Sequence, residues 1–190
     1  MLNPFHLASR AAGACALALA LLAPAYAVPV LEMSTANSAT GIDLTVSVRD
    51  AVDLYGYQFT LNFDPVLLTG GAGTEGAFLS NGGSTYFSAG DIDSSSGSIS
   101  FVFNTLFGDI PGVDGSGALA TFSFGIGQGG FASFSLSDVM LIDSNWAEIS
   151  AETRDLVAQV GEVPEPGSLW LAGIGLFALL GGRAIKSRTR

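Results

Sequence analysis

The sequence predicts an all-β protein built as a β-sandwich or jelly roll. Three observations carry this prediction. Apolar and polar residues alternate along several short segments between residues 42 and 142, which is the pattern of strands with one buried face. Clusters rich in glycine, aspartate, asparagine and proline separate these segments, and no segment has the periodicity of a long amphipathic helix. Short strands joined by turns are typical of sandwiches and jelly rolls.

The N-terminus has the three parts of a secretory signal peptide. Arg10 lies in a short positive region, an apolar run covers residues 11–23, and Ala25 and Ala27 form an A-x-A cleavage site. The apolar run is too short for a comfortable membrane span. We expect residues 1–27 to be removed and the domain of residues 28–160 to be exported.

Alternating segments follow one another along the exported domain. From Tyr55 to Phe63 every odd position holds an aromatic residue or leucine, while every even position holds a polar residue or glycine. Four other segments have the same period, with predicted core-facing residues at Ile42, Leu44, Val46 and Val48; at Ile99, Phe101 and Phe103; at Ala120, Phe122, Phe124 and Ile126; and at Ala132, Phe134 and Leu136. Ser100 and Asn104 are predicted to face outward.

Two regions near the end of the domain depart from the simple alternation of apolar and polar residues. After Ser137 the apolar phase moves to Val139 and Leu141, which predicts a bulge or a strand that leaves one sheet for another. Residues 150–160 are compatible with a helical turn or a final strand. Eleven of the 13 phenylalanines lie in residues 28–163, and we interpret most of them as core rather than ligand-binding residues.

Charge is distributed unevenly along the chain. The 190 residues carry 17 acids and seven bases, a formal charge of -10. Residues 28–163 contain 16 of the acids but only Arg49 and Arg154 as bases, so this part alone carries -14. Nothing there could neutralise phosphate groups, which excludes a nucleic-acid-binding function.

The last 30 residues, 161–190, contain three elements in a fixed order. Pro164, Glu165 and Pro166 precede an apolar segment, residues 168–185, and four bases lie in residues 183–190. A helix over residues 168–185 would be about 27 Å long, enough to cross a membrane, and the bases would hold its end in the cytoplasm. This tail resembles the PEP-CTERM sorting signal of Gram-negative bacteria. The resemblance implies processing by an exosortase and an association with exopolysaccharide and biofilm.

A second resemblance covers roughly residues 40–150. Residues 46–65, VSVRDAVDLYGYQFTLNFDP, are similar to the opening of a cohesin domain, with its Y/F-G-x-x-F-x-L-x-Y/F-D-P strand. Residues 117–124 and 136–145 resemble later strands of that family. The resemblance implies a jelly-roll sandwich of about nine strands, a fold shared with carbohydrate-binding modules. Cohesins of cellulosomes bind dockerins, but these motif residues do not carry the dockerin-contacting surface, so no partner site is transferred.

Catalytic equipment is sparse in the exported domain. Residues 28–163 contain no cysteine, histidine or lysine, which excludes Ser-His-Asp triads, cysteine nucleophiles, Schiff-base lysines and zinc sites of histidine and cysteine. Paired carboxylates remain, Asp91 with Asp93 and Asp109 with Asp114, as glycosidases require. Acids in turns are usually solvated. The domain is therefore predicted to be non-enzymatic, with a small glycan-active hydrolase as the alternative.

Two kinds of ligand are predicted from individual residues. Asp91 and Asp93 alternate in a turn that Gly97 closes, partly like a calcium loop, and a divalent ion would relieve the negative charge. We therefore predict calcium as a cofactor, held by these two carboxylates. Trp146 and Tyr86 are the predicted carbohydrate-binding rings, because the other tyrosines of the domain have core-facing positions in their strand.

The predicted function is recognition or adhesion by an exported protein of the cell surface or extracellular matrix of a Gram-negative bacterium. Its predicted partners are exosortase, the membrane through the C-terminal helix, and exopolysaccharide or an envelope protein. The alternatives are the glycan hydrolase and a protein–protein scaffold of the cohesin–dockerin type.

Overall fold

The structure is a computed structural model of the chain, and it describes residues 27–38 and 41–161. The predicted signal peptide, apart from Ala27, and the predicted sorting tail from residue 162 lie outside this range. None of the helices within it is long and apolar enough to cross a membrane, and the predicted transmembrane segment 168–185 is not part of it.

The described residues form eleven strands and one short helix, and the predicted all-β fold is confirmed. The strands with three or more residues number nine, and two more, β9 and β10, have two residues each. The elements are β1 (Val30–Asn37), β2 (Gly41–Phe63), β3 (Leu68–Glu75), α1 (Ala77–Ser80), β4 (Thr85–Ser88), β5 (Asp91–Asp93), β6 (Ser98–Leu106), β7 (Val113–Ile126), β8 (Gly130–Asp143), β9 (Glu148–Ile149), β10 (Glu152–Thr153) and β11 (Leu156–Val160). Residues 150–160 thus contain a final strand rather than a helical turn.

A single strand, β2, connects the two layers of the sandwich. Its first half, up to Arg49, pairs with β1 and β7, and its second half, from Gly56, pairs with β6 and β8. Between the halves, Asp50 and Asp53 adopt left-handed φ angles of 54° and 53°. Aspartate tolerates this conformation better than most residues. The sequence predicted two strands here, and the structure joins them by a bend.

The core lies between the two layers, where the predicted alternation places it. All predicted inward residues of β2, β7 and β8 are buried except Ile126, which is half-buried and packs against the core. Aromatic rings contact one another across the layers, with centroid distances of 6.3 Å for Phe59–Phe122 and 4.9 Å for Phe63–Phe124. The buried hydrophobic residues of the described part extend from Leu31 to Val160, so residues 28–161 contain a complete core and fold as a unit.

The alternation predicted for β6 is correct for Ile99 and wrong beyond it. A bulge at Phe101, with a φ of 56°, shifts the register between β2 and β6 and reverses the alternation. As a result, Phe101 is 62% exposed, Phe103 faces outward and Asn104 is buried.

Phe107 and Phe131 are exposed as well, so the interpretation of the phenylalanines as core residues fails for them. The bulge predicted after Ser137 is confirmed by a left-handed Asp138 and a register shift against β2.

Candidate binding face

Four neighbouring strands present one continuous surface, which we name the outer face. It consists of the outward side chains of β4, β6, the second half of β2, and β8, which pair in that order. Its members are Tyr86, Ser88, Ser100, Phe101, Phe103, Thr105, Gly56, Gln58, Thr60, Asn62, Ser133, Ser135, Ser137, Met140 and Ile142. None of these side chains is charged, but the exposed Asp138 lies beside them in the bulge between Ser137 and Met140.

Aromatic rings gather at one end of the outer face, which we name the aromatic end. Strand pairing places Tyr86, Thr105, Gly56 and Ile142 in one row across the sheet. The ring of Tyr86, which is 56% exposed, lies 5.6 Å from that of Phe103. Phe107 and Trp146 complete the aromatic end, at 6.3 Å from the Tyr86 ring and 5.5 Å from the Tyr55 ring, respectively. Clustered exposed rings of this kind are a common mark of binding surfaces.

A cavity of about 150 Å³ opens within the aromatic end. Its floor is Gly56, because a Cβ at this position would lie 3.1 Å from Cδ1 of Ile142 and 3.2 Å from the carbonyl oxygen of Asn104. Its lining consists of Gly56, Tyr57, Gln58, Phe103, Asn104, Thr105, Met140, Ile142 and Trp146. Any side chain at position 56 would therefore begin to fill it.

The turn between β8 and β9 holds Trp146 beside this cavity. Trp146 is 69% exposed, and its φ of 63° lies in the left-handed region, which is costly for a bulky residue. Its amide donates to the carbonyl oxygen of Asp143 at 3.0 Å. The Oδ1 atom of Asp143 accepts from the amides of Asn145 and Ala147 at 2.8 and 2.9 Å. These bonds fix the turn and hold Trp146 in its strained conformation.

Asp53 ties the same turn to two other segments. Its carboxylate accepts from Oγ of Ser144 at 2.7 Å and from the amide of Gly112 at 2.7 Å, with a longer bond from the Ser144 amide. The hydrogen bond from the Ser144 hydroxyl lowers the pKa of Asp53. The Asp53 amide in turn donates to Oδ1 of Asp114 at 2.7 Å. Asp114, one of the acids considered for hydrolysis, therefore has a partner within the structure.

A buried polar cluster lies beneath the aromatic end. Asn104 is 1% exposed, and its Nδ2 donates to Oε1 of Glu75 at 2.8 Å, while Oγ1 of Thr85 donates to the same oxygen at 2.6 Å. The Tyr57 hydroxyl donates to the carbonyl oxygen of Leu119 at 2.6 Å, and burial raises the pKa of Tyr57. The bonds to Glu75 connect β3, β4 and β6, and the bond from Tyr57 connects β2 and β7, while Oδ1 of Asn104 has no hydrogen-bond partner among the described residues.

The two predicted calcium ligands lie together at an exposed edge, in β5. Oδ1 of Asp93 accepts from the Ser95 hydroxyl at 2.6 Å and the Ser95 amide at 2.9 Å, and these bonds lower the pKa of Asp93 to about 2. Asp91 is exposed. Within residues 27–38 and 41–161, no three acidic, histidine or cysteine side chains come close enough to hold a metal ion. Asp93 has a structural role in the turn, and calcium binding stays a prediction.

The remaining predicted site residues fall into two groups. Tyr86 and Trp146 are both exposed in the aromatic end, and their binding of carbohydrate stays a prediction. Ala25, Pro164, Glu165 and Pro166 lie outside the described residues, and Ala27 is the first residue within them.

Beyond Tyr86 and Trp146, the sequence pattern does not reveal the residues of the aromatic end and its cavity. Phe103 was assigned to the core because the bulge at Phe101 leaves no mark in the period-two pattern. Met140 and Ile142 lie beyond the second bulge and received no assignment. Gly56 gave the only usable signal, since a glycine within a strong strand pattern indicates close backbone approach or a bulge.

Comparisons with known proteins agree with this architecture. Family models match the cohesin domain over residues 29–158 and the PEP-CTERM protein-sorting motif over residues 162–186. A search of curated proteins finds no match.

Solved structures show the same fold at low sequence identity. The second type II cohesin module of an Acetivibrio cellulolyticus adaptor scaffoldin matches at 16% identity and a TM-score of 0.59, over 74% of this chain and 93% of that one. A cohesin from a type I cohesin–dockerin complex of Clostridium thermocellum matches at 13% and 0.58, over 70% and 99%. A non-cellulosomal cohesin from the archaeon Archaeoglobus fulgidus matches at 13% and 0.55, over 70% and 91%. The chain belongs to the cohesin domain family and carries a PEP-CTERM sorting motif at its C-terminus.

Proposed function

We propose that this protein is a non-enzymatic recognition module that binds a partner protein through the aromatic end of its outer face. The observation that carries this proposal is the clustering of Tyr86, Phe103, Phe107 and Trp146 beside a cavity whose lining contains no charged side chain. A cavity lining free of charge can be desolvated at low cost, and aromatic residues are enriched among the few that carry most of the energy of protein interfaces.

The relatives support a protein as the partner. The matched Clostridium thermocellum cohesin was solved in complex with a dockerin, and so was an Acetivibrio cellulolyticus type II cohesin. Cohesin domains are non-catalytic modules of protein–protein interaction. The composition points in the same direction, because residues 28–163 lack histidine, cysteine and lysine.

The sorting motif supports a proposal for the location of the protein in the cell. A PEP-CTERM motif indicates an exported protein with a C-terminal sorting signal and implies processing by exosortase. We place the protein in the envelope or extracellular matrix of a Gram-negative bacterium that forms biofilm. A localisation assay with and without exosortase tests this placement, and unchanged tail processing and surface delivery would contradict it.

Capture by the purified domain tests the recognition function. Residues 28–161, immobilised and exposed to a biofilm extract of the producing organism, are expected to retain one envelope protein, whose affinity is then measured in purified form. Tyr86→Ala and Trp146→Ala are each expected to weaken this affinity at least about tenfold, because aromatic anchors dominate interface energies. Phe131→Ala, which removes an exposed ring from the distant end of β8, is the matched control and is expected to have no effect. Equal affinity of all three variants would contradict the proposal.

Exopolysaccharide is the second candidate partner, favoured by the exposure of Tyr86 and Trp146, since sugars stack on such rings. The same immobilised domain, scored for retained glycan, distinguishes the two partners. Release of reducing sugar from the producer's polysaccharide, lost in Asp91→Asn or Asp93→Asn, would instead support the glycan hydrolase.

A further inference from the structure

The cavity in the aromatic end has the size of a single side chain. Phe103 forms one wall, Met140 and Ile142 form another, and Trp146 lies at its side. Apolar cavities of about 150 Å³ hold a molecule as large as benzene. A leucine or phenylalanine side chain matches this volume. The hydroxyl groups of a sugar would find few hydrogen-bond partners among these walls, and leaving them unpaired is costly.

The strain at Trp146 is a second, independent sign of a binding site. Its backbone is left-handed, yet its indole remains largely exposed, so burial of the ring does not compensate for the conformation. Residues held in such conformations cluster at ligand sites. The hydrogen bonds of the turn fix Trp146 beside the cavity before anything binds, which lowers the entropy cost of binding.

Acidic residues lie in the segments next to the cavity. Asp143 and Glu148 flank Trp146 on either side of the turn, and Glu148 pairs with Ile142 of the cavity wall. Asp109 follows Gly108, whose carbonyl oxygen accepts a hydrogen bond from Tyr55. The cavity lining itself contains no charged side chain. An acidic side chain, Glu148, therefore lies beside the wall residue Ile142, and further acids lie in the adjoining segments.

The two bases of the domain lie elsewhere. Arg49 contacts Glu32 at 3.4 Å, and the amide of Arg154 donates to the carbonyl oxygen of Leu31. Both arginines are thus beside β1, which pairs with the first half of β2 and not with the strands of the cavity. The field at the cavity favours a cationic group next to the bound apolar side chain.

We propose that the cavity above Gly56 is an anchor site for one leucine-sized or phenylalanine-sized side chain on a positively charged segment of a partner protein. This inference rests on the proposed function and refines it, since it names the chemistry of the contact. The apolar side chain fills the cavity, and lysine or arginine residues beside it face the acids of the adjoining segments.

Two small probes of the same shape and opposite charge test the site. Isoamylamine, which is protonated at neutral pH, and isovalerate each carry the branched end of a leucine side chain. They are titrated into residues 28–161, where Trp146 is the sole tryptophan and its fluorescence reports on the cavity. The amine is expected to bind at millimolar concentration and at least about threefold more tightly than the carboxylate at low salt, because the neighbouring acids attract the ammonium group and repel the carboxylate where screening is weakest. Glucose is expected to leave the fluorescence unchanged.

Variants locate the binding. Gly56→Ala places a Cβ in the floor and is expected to weaken amine binding at least about tenfold. Gly127→Ala is the matched control, because its added Cβ would have no neighbour closer than 3.5 Å and lies at the opposite end of β8. A cooperative thermal transition in both variants shows that they fold. Ile142→Ala, which enlarges the cavity, is expected to bind phenethylamine more tightly than isoamylamine.

Three results would overturn the inference: equal affinity for amine and carboxylate, undiminished amine binding by Gly56→Ala, or a fluorescence change with glucose as large as with the amine. The proposed function is tested separately. If a captured partner still depends on Tyr86 while isoamylamine does not bind, the anchor site is wrong and the recognition face stands.

Discussion

At the scale of single residues, strain is concentrated at bends and beside the cavity. Among residues 27–38 and 41–161, five residues other than glycine have left-handed φ angles: Asp50, Asp53, Phe101, Asp138 and Trp146. The three aspartates tolerate this conformation comparatively well. The two aromatic residues do not, and Phe101 follows from the bulge that turns Phe103 outward. Trp146 alone combines the strain with a position at the cavity.

Substitution of Trp146 separates its backbone strain from its ring. Both Trp146→Ala and Trp146→Gly lose the contact with Tyr55, but only glycine adopts the left-handed conformation without cost. We expect the glycine variant to be about 1 kcal/mol more stable than the alanine variant in urea unfolding, with both equally impaired in partner binding. Equal stability of the two variants would mean that the turn carries no strain.

At the scale of elements, hydrogen bonds from side chains replace the regular ladder wherever strands bend. Asp53 connects the bend of β2 with the segment before β7 and the turn after β8. Asp143 organises the turn that carries Trp146. The aromatic end is therefore positioned by carboxylates that accept hydrogen bonds from backbone amides and, at Asp53, from the Ser144 hydroxyl.

The bonds of Asp53 make stability depend on acid pH. Its pKa is lowered in the folded state, so the folded protein binds fewer protons than the unfolded one; the contribution is present above the unfolded pKa of 3.8 and is lost as the pH falls below it. Asp53→Asn is expected to lower the free energy of unfolding at pH 7 by on the order of 1 kcal/mol and to flatten its fall below pH 4. Urea unfolding from pH 7 to 2.5 measures this, with the exposed Asp155→Asn as control. If Asp53→Asn does not change how steeply the free energy of unfolding falls below pH 4, the acid sensitivity comes from other groups, such as Asp93.

The sequence was sufficient for those elements whose residues follow one period. Alternation identified the buried faces of β2, β7 and β8, because burial of one face is what the pattern records. It could not identify the bend in β2 or the bulge at Phe101, since each depends on pairing with strands distant in sequence. Tyr86 and Trp146 were predictable as surface rings by elimination. The alternation of β2 places Tyr55 and Tyr57 in the core, which leaves Tyr86 and Trp146 as the exposed candidates. The cavity above Gly56 needed the register of three strands and was not predictable.

At the scale of the whole molecule, self-repulsion is the dominant electrostatic effect. Sixteen acids face two bases in residues 28–163, and the described residues contain one ion pair, Arg49–Glu32, which is largely exposed. Exposed pairs contribute little, whereas a net charge far from zero destabilises the folded state. Core packing and hydrogen bonds must offset this repulsion without disulfides, since the domain has no cysteine.

Salt is therefore expected to stabilise the domain. Raising sodium chloride from 10 to 500 mM shortens the screening length from about 30 Å to less than 5 Å and should raise the Tm by several degrees. Calorimetry of residues 28–161 in both buffers measures the shift. A Tm that falls with salt would show that attractive pairs outweigh the repulsion.

The two ends of β8 give the domain a direction. Gly130 pairs with Val160, one residue before the last described residue, Gly161, whereas Asp143, at the other end of the strand, begins the turn that carries Trp146. Thirteen residue steps at about 3.3 Å separate these ends by roughly 40 Å. The aromatic end therefore lies far from Gly161, which directly precedes the sorting motif, so a partner bound there approaches the domain from the side opposite the C-terminal signal.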